Sequence, residues 1–439
     1  MCLASVLNLL SMKNNYSIVA LIMLFWFVIS FITNILGPLI PDIIKNFNLQ
    51  QLTLAGYIPM SFFLAYAVMS IPAGIMIEKF SEKTVLLIGF SMPLVGALLF
   101  VLMPAYPVFL ISCFIIGLGM AMLQTVINPL TRVAGGEANF AFFSVMGQLV
   151  FGFASFVSPL VYSYLVCELT SPLANRNFFI DLLAGMTPPQ LPWVSLYWVF
   201  TVILVVIILI VIGGHFPKIT LQEDEKSGSL YVYRMLLHNK YVYLFFGGIL
   251  CYVATEQGIA NWMSTFLEDY HGIDPQTEGA AIIGRFWGLM SLGCLGGLAL
   301  LKLVDSKIVL RFSGTISVIL LLCALFGSET VSKCCFPLIG FTISVLFSII
   351  MSLGLNSVLK HHGAFTGILC SGIVGGAIGP VVVGALAETF GLQIALLSMV
   401  VTLAYIISIS FWARPLVNNK TVSVKELLGI QSQGNRTKT

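Results

Sequence analysis

The chain has 439 residues, of which 58% are hydrophobic and 9% are charged, and its net charge is +3. Soluble domains carry roughly a quarter charged residues, so this composition excludes a soluble protein. So small a net charge over this length also excludes a basic surface for nucleic acid. The composition predicts an all-α membrane protein that lies in a lipid bilayer.

Twelve apolar runs are long enough to cross a bilayer, which takes about 20 residues. The first run continues through Pro38 without a small-residue cleavage site, so we expect it to remain in the protein rather than to be removed as a signal peptide. Translation is expected to begin at Met1 or Met12. The predicted spans, numbered 1 to 12 in chain order, are 16–40, 52–77, 84–103, 107–130, 139–166, 192–214, 240–266, 276–301, 308–328, 335–357, 363–387 and 391–413.

The basic residues predict the orientation of these spans. With the N-terminus in the cytoplasm, 17 of the 21 Lys and Arg residues lie in cytoplasmic segments and Arg285 lies within a span. Only three lie outside, at Lys45, Arg176 and Lys333. Because cytoplasmic loops are enriched in Lys and Arg, we expect both termini to be cytoplasmic and the protein to lie in the inner (plasma) membrane of the cell.

The longest polar cytoplasmic segment, residues 215–239, separates two halves of six spans each, 16–214 and 240–413. The remaining residues, 1–15 and 414–439, form the cytoplasmic N-terminus and tail. Six spans, a charged linker and six further spans are typical of transporters built from two pseudo-symmetric halves. The other long loop, residues 167–191, is predicted to be a solvent-exposed excursion on the outer side.

The loop after span 2 combines a small residue with an acid and two bases, at Gly74, Glu78, Lys79 and Lys83. This segment resembles the loop signature of the major facilitator superfamily, in which such charges latch helix ends in one state of alternating access. The resemblance implies the major facilitator fold, with 12 transmembrane helices in two six-helix halves. The alternative interpretation is an ordinary basic cytoplasmic loop.

Polar side chains inside the spans are the candidate substrate site, because they are costly in hydrocarbon and usually face a cavity or another helix. In span 4, Gln124 and Asn128 are four residues apart and project from one helix face. Amides both donate and accept hydrogen bonds, which suits a neutral ligand rich in hydroxyl groups. The alternative is hydrogen bonding between helices. The other candidates are Asn34, Gln148, Glu256, Gln257, Asn261, Trp262, whose aromatic ring would stack on a ring of the ligand, and Asn356.

Three motifs resemble the fucose–galactose–glucose symporter family of the same superfamily. They are LQTVINP at residues 123–129, YVATE at 252–256 and IGRFWG at 283–288. The resemblance implies import of a monosaccharide coupled to a cation. Many members of that family carry Asn-Asp in span 1, with the acid as coupling carboxylate, whereas this chain has Asn34 at the matching position.

Glu256 is the acid predicted to lie deepest in a span, and the N-terminal half is expected to have no carboxylate at membrane depth. At 1.5 Å per residue, Glu256 and Arg285 lie roughly 14 Å and roughly 13 Å from the outer ends of spans 7 and 8. The two charges are therefore expected to pair. The pair is either structural or a coupling site, and an ionised Glu256 favours Na⁺ coupling or uncoupled facilitation over H⁺ coupling.

The sequence predicts a monomeric secondary importer of a fucose-, glucose- or galactose-like sugar and not an enzyme. The pair His361-His362 lacks a third ligand for a metal, and no GxxxxGK[ST] motif for ATP occurs. No cofactor is expected apart from a coupling Na⁺ or H⁺. Two alternatives use the same fold: a non-transporting sensor or receptor, and an efflux pump for another small molecule.

Overall fold

The computed structural model describes residues 2–135, 140–171, 177–214, 216, 230–357 and 362–415. Twelve helical segments in these ranges are long and apolar enough to cross a membrane. The predicted fold class, an all-α protein with 12 spans, is therefore confirmed. The two shorter helices, Phe178–Met186 and Leu230–Leu236, precede spans 6 and 7.

Most helices of the spans begin and end close to the predicted limits, whereas those of span 1 extend beyond both of its predicted ends. In chain order they are Cys2–Thr33 and Leu36–Asn46 (span 1), Leu52–Lys79, Glu82–Leu102, Tyr106–Gly135, Phe140–Thr170, Ser195–Gly213, Lys240–His271, Ala280–Leu303, Ser306–Phe326, Glu329–Ile343 and Leu346–Leu355 (span 10), His362–Ser371 and Gly375–Phe390 (span 11), and Leu392–Leu397 and Met399–Trp412 (span 12).

Span 1 is interrupted at Asn34 and Ile35 and then continues to Asn46. Pro38 explains the interruption, because proline has no N–H to donate to the carbonyl four residues earlier, at Asn34. Discontinuous helices of this kind line binding sites in transporters. The break therefore marks the depth at which a ligand site is expected.

The outer loop between spans 5 and 6 differs from the predicted solvent-exposed excursion. Residues Phe178–Met186 form a helix, which is capped where Ile180 N donates to Asn177 Oδ1 at 3.0 Å. Ile180 and Leu183 are buried against the bundle, whereas Phe178 is 84% exposed. The loop thus presents apolar as well as polar side chains.

Each half packs around its own hydrophobic core. One core is built almost wholly from spans 1 to 6 and the other from spans 7 to 12. We call the boundary between the halves the seam. We name the two ends of the bundle after residues near them, the Lys45 face, predicted to be external, and the Lys79 face.

The seam at the Lys45 face is closed by backbone-to-backbone contact at glycines. A methyl group at Gly37 in span 1 would lie 2.5 Å from the carbonyl oxygen of Ala260 in span 7. A methyl group at Gly56 in span 2 would lie 2.9 Å from the carbonyl oxygen of Pro380 in span 11. Real side chains do not approach a backbone oxygen this closely, so the halves close here because these residues have no side chain.

Replacement of Gly37 by Ala is expected to favour a state that is open at the Lys45 face, since the added methyl group collides with backbone that cannot rotate away. To measure this, Met103 and Phe326, both exposed at this face, are replaced by p-acetylphenylalanine and labelled with nitroxides. The distance between the two labels should be longer in Gly37→Ala than in the protein with Gly37. Gly296→Ala is the matched control, because nothing lies within 4 Å of a methyl group there. An unchanged distance distribution in Gly37→Ala would contradict the role assigned to this contact.

Candidate functional site

A narrow gap crosses the seam beside the break in span 1. In this conformation the gap has no room for a water molecule. Polar side chains from spans 1, 7 and 8 meet there. The lining residues are Thr33, Asn34, Leu36, Gly37, Gln257, Ala260, Asn261 and Trp287.

Asn34 is held in the gap by span 5. Its Nδ2 donates to Ser155 Oγ at 2.8 Å, and Ser155 Oγ lies 2.6 Å from Ser30 Oγ, one helical turn before Asn34. All three side chains are buried. The hydroxyl groups of Ser30 and Ser155 fix the orientation of the amide, and the sequence offered no spacing by which to pair spans 1 and 5.

Span 7 presents Gln257 and Asn261 to the same gap. Asn261 Nδ2 donates to the carbonyl oxygen of Gln257 at 2.8 Å and to Gln257 Oε1 at 3.1 Å. Four residues separate them, so they share one face of the helix. The structure therefore brings three predicted site residues together, because Asn34 of the N-terminal half lies across the gap.

Trp287 is a residue of the gap that the sequence did not single out. Its side chain is 4% exposed, and within the described part of the chain its indole N–H has no hydrogen-bond partner. A buried donor without an acceptor costs free energy. A ligand oxygen in the gap would satisfy it.

Trp262, by contrast, does not line the gap. It is fully buried, and its Nε1 donates to the carbonyl oxygen of Pro380 at 2.9 Å, which joins span 7 to span 11 within the C-terminal half. The predicted stacking of Trp262 on a ligand finds no support in this position. Trp287 of span 8, rather than Trp262 of span 7, faces the gap.

Glu256 and Arg285 are not brought together. Among the described residues no ion pair joins them: Arg285 is exposed, whereas the Glu256 carboxylate lies within hydrogen-bonding reach of Tyr252 and 3.5 Å from Gln257 Nε2. Similar depth in two helices does not make their side chains point toward each other. The expected pairing is therefore absent from this conformation, and the coupling role of Glu256 stays a prediction.

Gln124, Gln148 and Asn356 do not line the gap. Gln124 is half-buried, Gln148 is exposed, and Asn356 lies just past the end of span 10, where its Nδ2 is 3.4 Å from Ser352 Oγ. The side chain of Asn128 lies outside the described residues. Their binding roles stay predictions.

The predicted latch is described only in part. Lys83 Nζ donates to the carbonyl oxygens of Ile212 at 2.5 Å and Gly214 at 3.1 Å, so it caps the end of span 6. Such a cation is favourable at the C-terminal end of a helix. Gly74 is half-buried and Lys79 is exposed. The side chain of Glu78 lies outside the described residues, and the latch stays a prediction.

Asp42 corrects the expectation that the N-terminal half has no carboxylate at membrane depth. The helix of span 1 continues past residue 40, and Asp42 within it is 4% exposed. Tyr162 of span 5 donates to Asp42 Oδ2 at 2.6 Å, and Gln276 Nε2, just before span 8, donates to Oδ1 at 2.9 Å. One buried carboxylate thus joins the two halves at the Lys45 face.

A metal site is not visible in the ranges that the structure describes, where no three His, Cys, Asp or Glu side chains lie close enough to hold an ion. His361 lies outside these ranges. The gap offers neutral hydrogen-bonding groups and aromatic surface instead. Groups of this kind bind and orient a polar neutral molecule.

Comparison with known proteins places this arrangement in a family. The chain is 29% identical over 402 residues to a glucose/galactose transporter of Brucella abortus, which covers 90% of this chain and 94% of the relative. It is 24% identical over 404 residues to the L-fucose-proton symporter of Escherichia coli, covering 85% of this chain and 87% of the relative. These names confirm the resemblance to the fucose–galactose–glucose symporter family and the expectation that the chain is not an enzyme.

The fold is shared with a solved structure of the Escherichia coli fucose:proton symporter, with a TM-score of 0.64, 22% identity, and coverage of 90% of this chain and 98% of that one. The family model described as Major Facilitator Superfamily matches residues 22–369, which is most of the chain. With twelve spans and a polar gap in the seam between two halves, the chain belongs to the major facilitator superfamily.

Proposed function

We propose that this protein is a secondary active transporter that imports a hexose-like sugar by alternating access. The observation that carries the proposal is the meeting of neutral hydrogen-bonding side chains from both halves in one gap, where Asn34 faces Gln257 and Asn261. Amides donate to and accept from hydroxyl groups. The relatives named for glucose, galactose and fucose support a monosaccharide as the substrate.

The gap suits alternating access because its two walls belong to different halves. With the seam closed at the Lys45 face, the gap is too narrow for a ligand. Separation of the halves would widen it without disturbing either hydrophobic core, because the cores are separate. A bound sugar that bridges Asn34 and Asn261 would in turn favour closure around itself.

We propose that import is coupled to a cation and that Glu256 is the coupling carboxyl of the C-terminal half. Glu256 lies next to Gln257, so a cation at the carboxylate would adjoin the sugar site directly. Thr255, whose hydroxyl donates to the carbonyl oxygen of Cys251 at 2.8 Å, offers a neighbouring oxygen. The coupling cation is Na⁺ or H⁺, and the experiment below separates them.

We propose further that the protein works as a monomer in the inner (plasma) membrane with both termini in the cytoplasm. The excess of Lys and Arg at the Lys79 face supports this orientation. Import then runs from the Lys45 face to the Lys79 face.

Trp287→Phe is expected to weaken sugar binding by about 2- to 13-fold, because a net hydrogen bond contributes about 0.5–1.5 kcal/mol. The substitution removes the indole N–H that would donate to the sugar and keeps an aromatic ring. Binding of radiolabelled glucose, galactose and fucose to purified protein measures this. Trp198→Phe is the matched control, since its indole donates to the carbonyl oxygen of Met186 away from the gap. Unchanged affinity in a well-folded Trp287→Phe would remove this residue from the site.

Glu256→Gln is expected to abolish sugar accumulation driven by an ion gradient while sugar exchange across proteoliposomes continues. The amide keeps the shape of the side chain but has no negative charge to attract Na⁺ and does not take up a proton. Imposing a sodium gradient and a pH gradient separately identifies the cation. Gln190→Glu, at an exposed position of the loop between spans 5 and 6, tests whether an added acid elsewhere has any effect. Accumulation that survives Glu256→Gln under both gradients would exclude Glu256 as the coupling group.

The orientation predicts that native Cys334 reacts with a membrane-impermeant maleimide in spheroplasts of an expression host. Cys334 is an exposed thiol at the Lys45 face, near the start of span 10. Cys334→Ser should lose this labelling. If labelling of Cys334 appears only after permeabilisation, the Lys45 face is cytoplasmic and the proposed orientation is reversed.

A further inference from the structure

We propose that Asp42 is a proton-binding site that couples proton occupancy to the joining of the two halves at the Lys45 face. The inference deepens the proposed function, on which its meaning for transport rests, by adding a proton site in the N-terminal half. It concerns a different residue and a different place from Glu256. Asp42 lies near the Lys45 end of span 1, eight residues beyond Asn34, which cannot titrate.

The carboxyl of Asp42 is shared between the halves. Tyr162, which donates to Oδ2 at 2.6 Å, belongs to the same half, whereas Gln276, which donates to Oδ1 at 2.9 Å, belongs to the other. The side chain is 4% exposed. When the halves part, Gln276 must leave and the buried carboxyl must meet the solution at this face.

The direct partners of Asp42 are neutral donors. The nearby ammonium of Lys45 instead forms an ion pair with Glu268 of span 7, and that pair is exposed, with side-chain exposures of 57% and 26%. The carboxyl is therefore not tied to one charge state by a contacting cation. The charged and titratable groups around it are Lys45 on its own helix, Glu268 of span 7, Asp274 before span 8, and Tyr162 and Cys167 of span 5.

Both protonation states fit the closed seam. A phenol hydroxyl can donate to a carboxylate or accept from a carboxylic acid, whereas the Gln276 amide nitrogen only donates. The second oxygen of a protonated Asp42 still accepts from Gln276. The site can thus gain or lose one proton at the Asp42 carboxyl without breaking the contact between the halves.

Closure and protonation must then influence each other. The proton affinity of a carboxyl depends on its burial and on its hydrogen-bond donors, and both differ between the closed and the open seam. By linkage, closure changes proton binding by the same free energy by which proton binding changes closure. Glu256 lacks this direct link, because Tyr252 and Gln257, its partners, lie in its own half and move with it.

The test measures the seam rather than transport. The nitroxide pair at Met103 and Phe326 reports the ratio of closed to open protein, without sugar or sodium, from about pH 3 to about pH 8, a range that covers most carboxyl titrations in proteins. In the otherwise unmodified protein the ratio should change with pH, by up to about tenfold per pH unit for one fully linked proton. In Asp42→Asn, which keeps a side chain of the same shape, the ratio should not change in the carboxyl range.

Glu388→Gln is the matched control, because Glu388 also crosses the seam, accepting from Thr53 N at 2.8 Å, but lies exposed at its rim. It should keep the pH dependence. Tyr162→Phe provides a second variant that leaves the acid in place, so the transition should persist with a shifted midpoint. The proposal is overturned if the transition is unchanged in Asp42→Asn, or if the ratio of closed to open protein does not depend on pH in the unsubstituted protein. It is also overturned if the midpoint does not shift in Tyr162→Phe.

The outcome is separable from that of the proposed function. The distance measurement needs no sugar, so a protein that carries no hexose would still show the Asp42-dependent transition. Conversely, loss of this transition would leave sugar binding at Trp287 and coupling at Glu256 open to their own tests. Proton-driven sugar accumulation that fails in Asp42→Asn while exchange continues would connect the two.

Discussion

The rest of the architecture depends on the close approach of backbone to backbone where the two halves meet. Methyl groups at Gly37 and Gly384 would lie within 2.8 Å of the carbonyl oxygens of Ala260 and Leu52 in the opposite half. Lipid tails are as apolar as the helices, so the hydrophobic effect does not drive helices together in a bilayer, and packing and hydrogen bonds must. Glycine allows that packing, and because it buries little side chain, the same surfaces can part again.

The position of the gap follows from this contact. Asn34 lies three residues before Gly37, and Gln257 lies three residues before Ala260, so the backbone contact sets the two amides opposite each other. Pro38 supports the arrangement, since it interrupts the helix at Asn34. One turn of each helix therefore supplies both the contact and the polar groups beside it.

The spans and some residues of the gap could be predicted from the sequence. The direction in which each side chain points from its helix could not. Asn34, Gln257 and Asn261 could be found because polar residues are rare in apolar runs. Trp262 and Trp287 could not be told apart, since a buried membrane helix is apolar on all sides and shows no period. For the same reason, the sequence could not show that the side chains of Glu256 and Arg285 do not point toward each other. Asp42 was missed because span 1 was predicted to end at residue 40, whereas the helix continues to Asn46.

The polar contacts across the seam differ in how much they can bias its state. Lys45 and Glu268 pair in an exposed position, where solvent screening and side-chain entropy leave little net free energy. Asp42 and Gln276 meet in a buried position, where a hydrogen bond to an ionisable group is stronger and an unmade one is costly. A seam held by glycine contacts alone would be indifferent to its surroundings. The buried carboxyl makes its closure sensitive to proton binding. The proposed coupling requires that sensitivity of the face through which the sugar is proposed to enter.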